Sequence, residues 1–486
     1  MKTFTILLAC TFLFFIKTNA VAQSSSEINE KIQRVEKNLI PNIQTENDGP
    51  MTMQDRMALY KVHGVSVAVI HNYKLEWAKG YGYADDSLKV PVTPQTLFQA
   101  ASISKSLNSV GVLKLVQDKK IDLYTDINTY LTSWKFPYDS RSKNKKITIA
   151  NLLSHTGGLT VHGFGGYEKG EQLPTIPQIL DGKKPANSDA VRSMYAPGIK
   201  SEYSGGGITI SQLIVMDVTH QAYDKFMYDN VLKPLGMNSS TYTQPPLNKK
   251  PGLLATAYRG NGAAIKGTYH IYPEQAAAGL WTNPTDLSKY IIETQMALQG
   301  KSSKVLDQQT TKLRLTPYID KNAALGVFID SLEGGVKYFE HGGANEGFRC
   351  QYFGSLEGGN GVVVMVNSDN GNIMNEIVNS VAKVYDFKGL NHSKLRKEVT
   401  VADTILQKYT GKYELNPSFI LTITREGSSL YGQATGQGKV QLFAESNNKF
   451  FLKVVDAEIE FVKDDKGQIT KATLYQNGIH EAKKIE

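Results

Sequence analysis

In the run Phe98-Gln99-Ala100-Ala101-Ser102-Ile103-Ser104-Lys105 a serine precedes a lysine by three residues. Three residues is just under one helical turn, so on a helix both side chains share a face and the amine can take the hydroxyl proton. That is the chemistry of a serine nucleophile with a lysine base, and it needs no histidine. The same spacing starts at Ser140, Ser142, Ser380 and Ser446. Ser140 and Ser142 fall in a charged loop, Ser446 in a turn before a strand, and Ser380 mid-helix, where a hydroxyl back-bonds to its own helix. Ser102 alone opens a long apolar helix, whose first N–H groups lack partners and whose dipole favours a developing oxyanion. Capping that helix is the plainer role for such a serine.

Two further pieces carry polar chemistry. Pro197-Gly198-Ile199-Lys200-Ser201-Glu202-Tyr203-Ser204-Gly205-Gly206-Gly207 sets Tyr203 in a flexible glycine loop, from which its phenol can reach a cleft and relay protons. His341-Gly342-Gly343-Ala344 ends a strand-like run, and the missing side chains let a substrate backbone approach the sheet edge. None of the nine histidines belongs to a His-Glu-x-x-His pair and there is no Gly-x-Ser-x-Gly elbow, so zinc-protease and α/β-hydrolase chemistry lack their motifs. No metal or other cofactor is expected.

The elements that must position these residues follow from hydrophobic periodicity. Ile28, Ile32, Val35 and Leu39 mark an amphipathic helix between Gln23 and about Ile43. Gly64 to Ile70 reads as a buried strand, and Leu75 to Gly82 pairs with it across the turn His71 to Lys74. Ile103, Leu107, Val110 and Leu113 predict a helix from Ser102 to Lys119-Lys120, with basic residues at its C-terminal end. From about Asp122 to Asp307 short helices alternate with Gly- and Pro-rich connections that would line a cleft. Strand-like runs return at Leu325 to Asp330, Val336 to His341, Arg349 to Phe353 and Gly361 to Val366, followed by a helix from Ile373 to Tyr385. Strands at both ends of a helical middle predict an α+β domain with one sheet built from both sequence ends.

After the polar stretch Asn391 to Lys397 the pattern changes to short alternating strands, such as Ile420 to Thr424 and Glu458 to Val462. Turns are marked by Asp464 to Gly467 and by Asn477-Gly478. A first globular part over 23–390, a linker over 391–402 and a small β-barrel or sandwich over 403–486 are expected.

The first residues read as an export signal: Lys2, an apolar run from Phe4 to Ile16, and the small-x-small pattern Asn19-Ala20-Val21-Ala22. Cleavage after Ala22 places the mature chain outside the cytoplasm, in a periplasm or secreted. A lipoprotein site at Leu7-Leu8-Ala9-Cys10 fits less well, because the run before Cys10 is short and Thr11 to Ile16 stays apolar. Removing 1–22 takes away Lys2 and Lys17, lowering the formal charge of +8 by two, and leaves Cys350 as the sole cysteine. A lone thiol excludes a disulfide framework. The remaining basic excess lies in short loop-like runs, not on one face interleaved with aromatics, which speaks against nucleic-acid binding. Outside the signal no segment reaches the ~18 apolar residues of a membrane span. The expected partner is a small-molecule or peptide substrate.

Together the three motifs resemble the serine β-lactamase and penicillin-binding superfamily, in the branch of class C β-lactamases, D-stereospecific peptidases and related esterases. The resemblance covers most of residues 50 to 385. Ser102-Ile103-Ser104-Lys105 matches its nucleophile motif, Tyr203-Ser204-Gly205 stands where its Tyr-x-Asn belongs, and His341-Gly342-Gly343 where its Lys-Thr-Gly or His-x-Gly belongs. Ile147 to Leu159, Lys233 to Met237 and Ala278 to Thr282 look like further signatures, read as scaffold, so that His155 within them is not a catalytic base. The resemblance implies acyl transfer, with Ser102 as nucleophile, Lys105 and Tyr203 sharing its proton, and the backbone N–H groups of Ser102 and Ala344 holding the oxyanion. His341, Gly342, Gly343 and Gly205 would contact substrate. Two departures stand out: Gly205 replaces the asparagine that binds an acyl-side amide, and His341 replaces the lysine that binds a substrate carboxylate. They favour a small ester, amide or D-amino-acid peptide over a β-lactam or D-Ala-D-Ala terminus, with a non-turnover penicillin-binding sensor as the alternative of another class. Tyr409-Thr410-Gly411-Lys412-Tyr413 resembles the start of the lipocalin-like β domain that follows such hydrolase domains.

Overall fold

The computed structural model describes residues 25–246 and 252–486. The export signal expected over 1–22 lies outside the described residues. The chain forms two compact units, one holding Gln54–Met374, Tyr385–Gly389 and residues 25–33, the other Arg34–Met53, Asn375–Val384 and Leu390–Glu486.

The first unit is built on a seven-stranded antiparallel sheet. Gly64–His71 is buried at every position but the last, as a strand covered on both faces must be. It joins Lys74–Asp85 through Asn72 and Tyr73, both at positive φ (52° and 61°), the conformation a two-residue hairpin turn requires. On its other side it pairs with Gly361–Val366, and Phe348–Ser355, Lys337–Asn345 and Phe328–Ser331 follow in order. Strands from both ends of the unit therefore meet in one sheet, as the hydrophobic pattern predicts. The helices Ser104–Gln117, Gly205–Thr219 and Pro284–Leu298 come from the stretch between them.

Ser104–Gln117 is buried nearly all round, which leaves its polar side chains needing internal partners. Each finds one: Asn108 donates to Ser211 Oγ and accepts from Tyr223, Ser106 accepts from Tyr352, and Ser109 accepts from the buried Arg314. These bonds fix the helix in rotation as well as depth.

In the second unit eight sequential antiparallel strands, from Gly411–Asn416 to Ile479–Lys484, close into an up-and-down barrel. Its interior is filled by alternate residues such as Tyr413, Leu421, Ile423, Phe450, Ile459 and Phe461. Tyr409 stacks on Phe461 at 4.3 Å between ring centroids, and its carbonyl accepts from Tyr413 Oη. One expectation fails at the start of the chain. The opening helix runs over 25–37 and stops short of Ile43, because Pro41 lacks an N–H and disfavours helical geometry at Ile40. Ile43–Thr45 is instead a strand, paired in parallel with Lys394–Arg396. Among the described residues no helix is long and apolar enough to cross a membrane.

Candidate active site

Ser102 sits in a one-turn 3-10 helix, Ala101–Ile103, and the α-helix proper begins at Ser104. The expectation that Ser102 starts the α-helix is thus corrected by two residues. The cause is Ala101, whose φ of 47° lies in the left-handed region that an alanine side chain disfavours by ~1–2 kcal/mol. This bend presents Ser102, partly exposed, ahead of a buried helix. Lys105 Nζ donates to Ser102 Oγ at 2.9 Å and to the Ala277 carbonyl at 2.6 Å. Lys105 is 2% exposed, and no carboxylate among the described residues is paired with it.

The other Ser-x-x-Lys matches hold no such pair. Ser142 donates to the Asp139 carbonyl, Ser380 back-bonds to Glu376 as its mid-helix position predicts, and Ser446 accepts from the Lys449 backbone while the Lys449 amine meets Glu458. Ser140 begins a surface 3-10 turn.

Tyr203 lies with its ring centroid 5.0 Å from Lys105 Nζ. Tyr203 stands in the irregular stretch just ahead of the cap residue Ser204, but the glycines that follow it are not a loop. Gly205-Gly206-Gly207 form the first turn of the helix Gly205–Thr219, capped by Ser204 Oγ, which accepts from Gly207 N. Glycine is poor in helices, yet here a side chain would collide: a Cβ on Gly206 would come 2.7 Å from Val191 Cγ2, and one on Gly205 3.0 Å from the His162 carbonyl. His155 brackets the tyrosine, its carbonyl accepting from Glu202 N at 2.8 Å and its Nδ1 from Ser204 N at 3.2 Å. Phe328 stacks on Tyr203 and His155, and His341 meets the tyrosine edge-on at 6.3 Å. His155 and Phe328 escaped the sequence reading as neighbours of the site, because nothing local to either segment links them to Tyr203.

The strand Lys337–Asn345 supplies the third wall. Leu356 N bonds the Lys337 carbonyl, so odd-numbered residues of this strand face Phe348–Ser355 and even-numbered ones face the opposite edge. On that edge Phe328–Ser331 pairs only as far as Glu340. The N–H and C=O groups of Gly342 and Ala344 therefore point to an edge without a strand. Gly343 brings this edge against the Ser102 turn, since a Cβ there would lie 2.4 Å from the Ala100 carbonyl and 3.1 Å from Ala101 Cβ. Cys350 Sγ donates to the same Ala100 carbonyl at 3.0 Å, and burial pushes its thiol pKa well up.

Residues 51–382 match the Beta-lactamase family model. The chain belongs to that family. Protein flp of Staphylococcus aureus (strain N315) is 25% identical over 372 residues, covering 74% of this chain and 69% of its own length. Penicillin-binding protein 4* of Bacillus subtilis (strain 168) is 22% identical over 426 residues, covering 82% and 90%. The octameric penicillin-binding protein homologue from Pyrococcus abyssi has the same fold, with a TM-score of 0.62 at 21% identity over 89% of this chain and 98% of the other. Residues 395–484 match a second model, a domain of unknown function, DUF3471.

Within this beta-lactamase family chain the two departures acquire a structural cause. At position 205 a side chain would be crowded at its first atom: besides the His162 carbonyl at 3.0 Å, Phe164 Cε2 lies 3.1 Å from where a Cβ would stand. His341 is 3% exposed, with Nδ1 donating to the Gly342 carbonyl at 2.6 Å and Nε2 buried without a partner among the described residues. Burial, with the Lys105 ammonium nearby, pushes its pKa down to about 3, so at neutral pH it is an uncharged imidazole and no anchor for a carboxylate. His155 is held neutral in the same way.

Proposed function

We propose that this beta-lactamase family member is an exported serine hydrolase that works through an acyl-enzyme on a small ester, amide or D-amino-acid-containing peptide. The observation that carries the reading is the 2.9 Å bond between Lys105 Nζ and Ser102 Oγ, made by a buried lysine that no carboxylate among the described residues neutralises. In the amine form Lys105 takes the Ser102 proton, with Tyr203 sharing it. Ser102 Oγ then attacks the carbonyl carbon, and the N–H groups of Ser102 and Ala344 receive the oxyanion, at roughly 3 kcal/mol per donor in comparable sites. Collapse breaks the bond to the leaving group, which takes the proton by way of Tyr203, and a water deprotonated by the same pair releases the acid.

A neutral His341 and the absence of a side-chain amide at the crowded position 205 support an uncharged substrate in preference to a β-lactam. Intact-mass measurement after a fluorophosphonate or a penicillin, run beside a panel of short-chain esters, D-amino-acid amides, D-Ala-D-Ala peptides and a chromogenic cephalosporin, tests the reading on wild type and Ser102→Ala. Ester or D-amide turnover that vanishes in Ser102→Ala is expected. A stable penicillin adduct without turnover of anything on the panel points instead to a sensor, and no adduct with either reagent sinks Ser102 as nucleophile. Export is checked by the N-terminus of the purified mature protein, expected at Gln23.

A further inference from the structure

The segment from Thr160 to Gly166 is tied down at both ends. On one side the Thr160 carbonyl accepts from Ser204 Oγ, Val161 from Gly206 N and His162 from Gly205 N, while His162 Nδ1 donates to the Tyr203 carbonyl at 2.6 Å. On the other, the Gly165 carbonyl accepts from His270 Nδ1 at 2.9 Å and the Gly166 carbonyl from Asn187 Nδ2 at 2.8 Å. Only Gly163 and Phe164 span between these anchors. Val161 holds φ at 65°, a conformation that a β-branched residue rarely adopts and that this double anchoring maintains.

The bracketed ring packs against the core of the first unit without being enclosed by it. Phe164 is partly exposed, between exposed glycines whose Cβ positions meet nothing within 4 Å. Its ring edge occupies the space beside Gly205, two residues from Tyr203. A partly exposed apolar ring thus stands beside the position where the resembled motif carries a side-chain amide.

We infer that Phe164 determines which acyl group enters: its ring forms an apolar wall beside Gly205 that selects acyl donors with an aromatic or branched-alkyl group and gives no amide recognition. The inference rests on the acyl-enzyme reading above and specifies the substrate's acyl half. Apolar contact with a ring distinguishes substrates that differ by a few carbons by about tenfold or more in kcat/KM.

The test uses the full mature chain and two esters with one leaving group, p-nitrophenyl acetate and p-nitrophenyl phenylacetate. Rates are normalised to the fraction of serine labelled by a fluorophosphonate, so that misfolded protein is not counted. Wild type is expected to favour the phenylacetyl ester. Phe164→Ala should lower that preference about tenfold, mainly through KM for the larger ester, and Phe164→Leu should keep most of it. A wild type without preference overturns the inference, as does an unchanged preference in Phe164→Ala or an equal loss on both esters, which would make Phe164 a prop for the Gly205 turn. If wild type itself is neither labelled nor active, the acyl-enzyme reading fails, which is distinct from a labelled, active enzyme indifferent to Phe164.

Discussion

The imidazole of His155 lies 4.4 Å from the Tyr203 ring, tilted by 35°, and hydrogen bonds from Glu202 and Ser204 place His155 on both sides of the tyrosine in sequence. This makes it a positioning residue. Because its pKa is pushed well below the ordinary value, first by burial and then by Lys105, it acts as a neutral acceptor and not as a proton carrier at neutral pH. His155→Ala should lower kcat about tenfold with KM nearly unchanged. His155→Gln, which keeps an acceptor near Ser204 N, should recover part of it. A loss in His155→Ala that matches the loss of folded protein by calorimetry would make the role purely structural.

Lys105 is buried with no counter-charge paired to it among the described residues, an arrangement that costs stability and that the proposed proton transfer would explain. Lys105→Met keeps the volume and removes the amine. Steady-state hydrolysis should fall by roughly 10³-fold, while the thermal midpoint stays level or rises. Serine labelling by a fluorophosphonate should slow in parallel. A variant that loses midpoint and activity together would contradict this account.

The sheet was legible because its signal is local: alternating or continuous apolar runs bounded by turn residues, as in Gly64 to His71 and Gly361 to Val366. The Ser102–Lys105 pair was legible because a three-residue spacing brings both side chains together, and Lys105 Nζ does bond Ser102 Oγ at 2.9 Å. What escaped depends on packing between distant segments. Gly205-Gly206-Gly207 reads as a loop since glycine has poor helix propensity, and only Val191 and the His162 carbonyl reveal that the glycines serve close approach. Likewise the helix starts at Ser104 and not at Ser102 because Ala101 is held at a φ of 47°, a conformation that no residue pattern announces for an alanine. The aromatic enclosure of Tyr203 joins residues from positions 155, 328 and 341, which no spacing rule connects.

Gly343, within the strand Lys337–Asn345, lies against the turn that carries Ser102. An alanine there would stand 2.4 Å from the Ala100 carbonyl and 2.5 Å from Cys350 Sγ, and both would have to give way. Gly343→Ala should destabilise the protein by roughly 1–3 kcal/mol, the cost of overpacking a filled site. It should also shift the Ser102 and Ala344 N–H groups relative to one another, lowering kcat beyond what the folded fraction explains. Chemical denaturation together with turnover per labelled serine reads both effects, and a Gly343→Ala enzyme with wild-type turnover per labelled serine would refute the coupling.

Glu274 is fully buried, neither carboxylate oxygen has a hydrogen-bond partner among the described residues, and burial pushes its pKa up to about 8 from an ordinary 4.5. It stands three residues before Ala277, whose carbonyl holds Lys105. With the folded pKa above the unfolded one, the stability tied to its protonated form is complete below about pH 4.5 and is lost as pH rises towards 8. His341 runs the opposite way: its pKa falls from 6.5 to about 3 on folding, so its share is present above pH 6.5 and is lost as pH drops towards 3. Glu274→Gln removes the first dependence and leaves the second. A tenfold change in proton affinity between the folded and unfolded chain corresponds to about 1.36 kcal/mol, so the variant should gain about 1 kcal/mol over wild type at pH 5 and roughly 4 kcal/mol at pH 8. Urea unfolding of both proteins at the two pH values checks this, and a stability difference that does not grow with pH would show that Glu274 is ionised inside the fold.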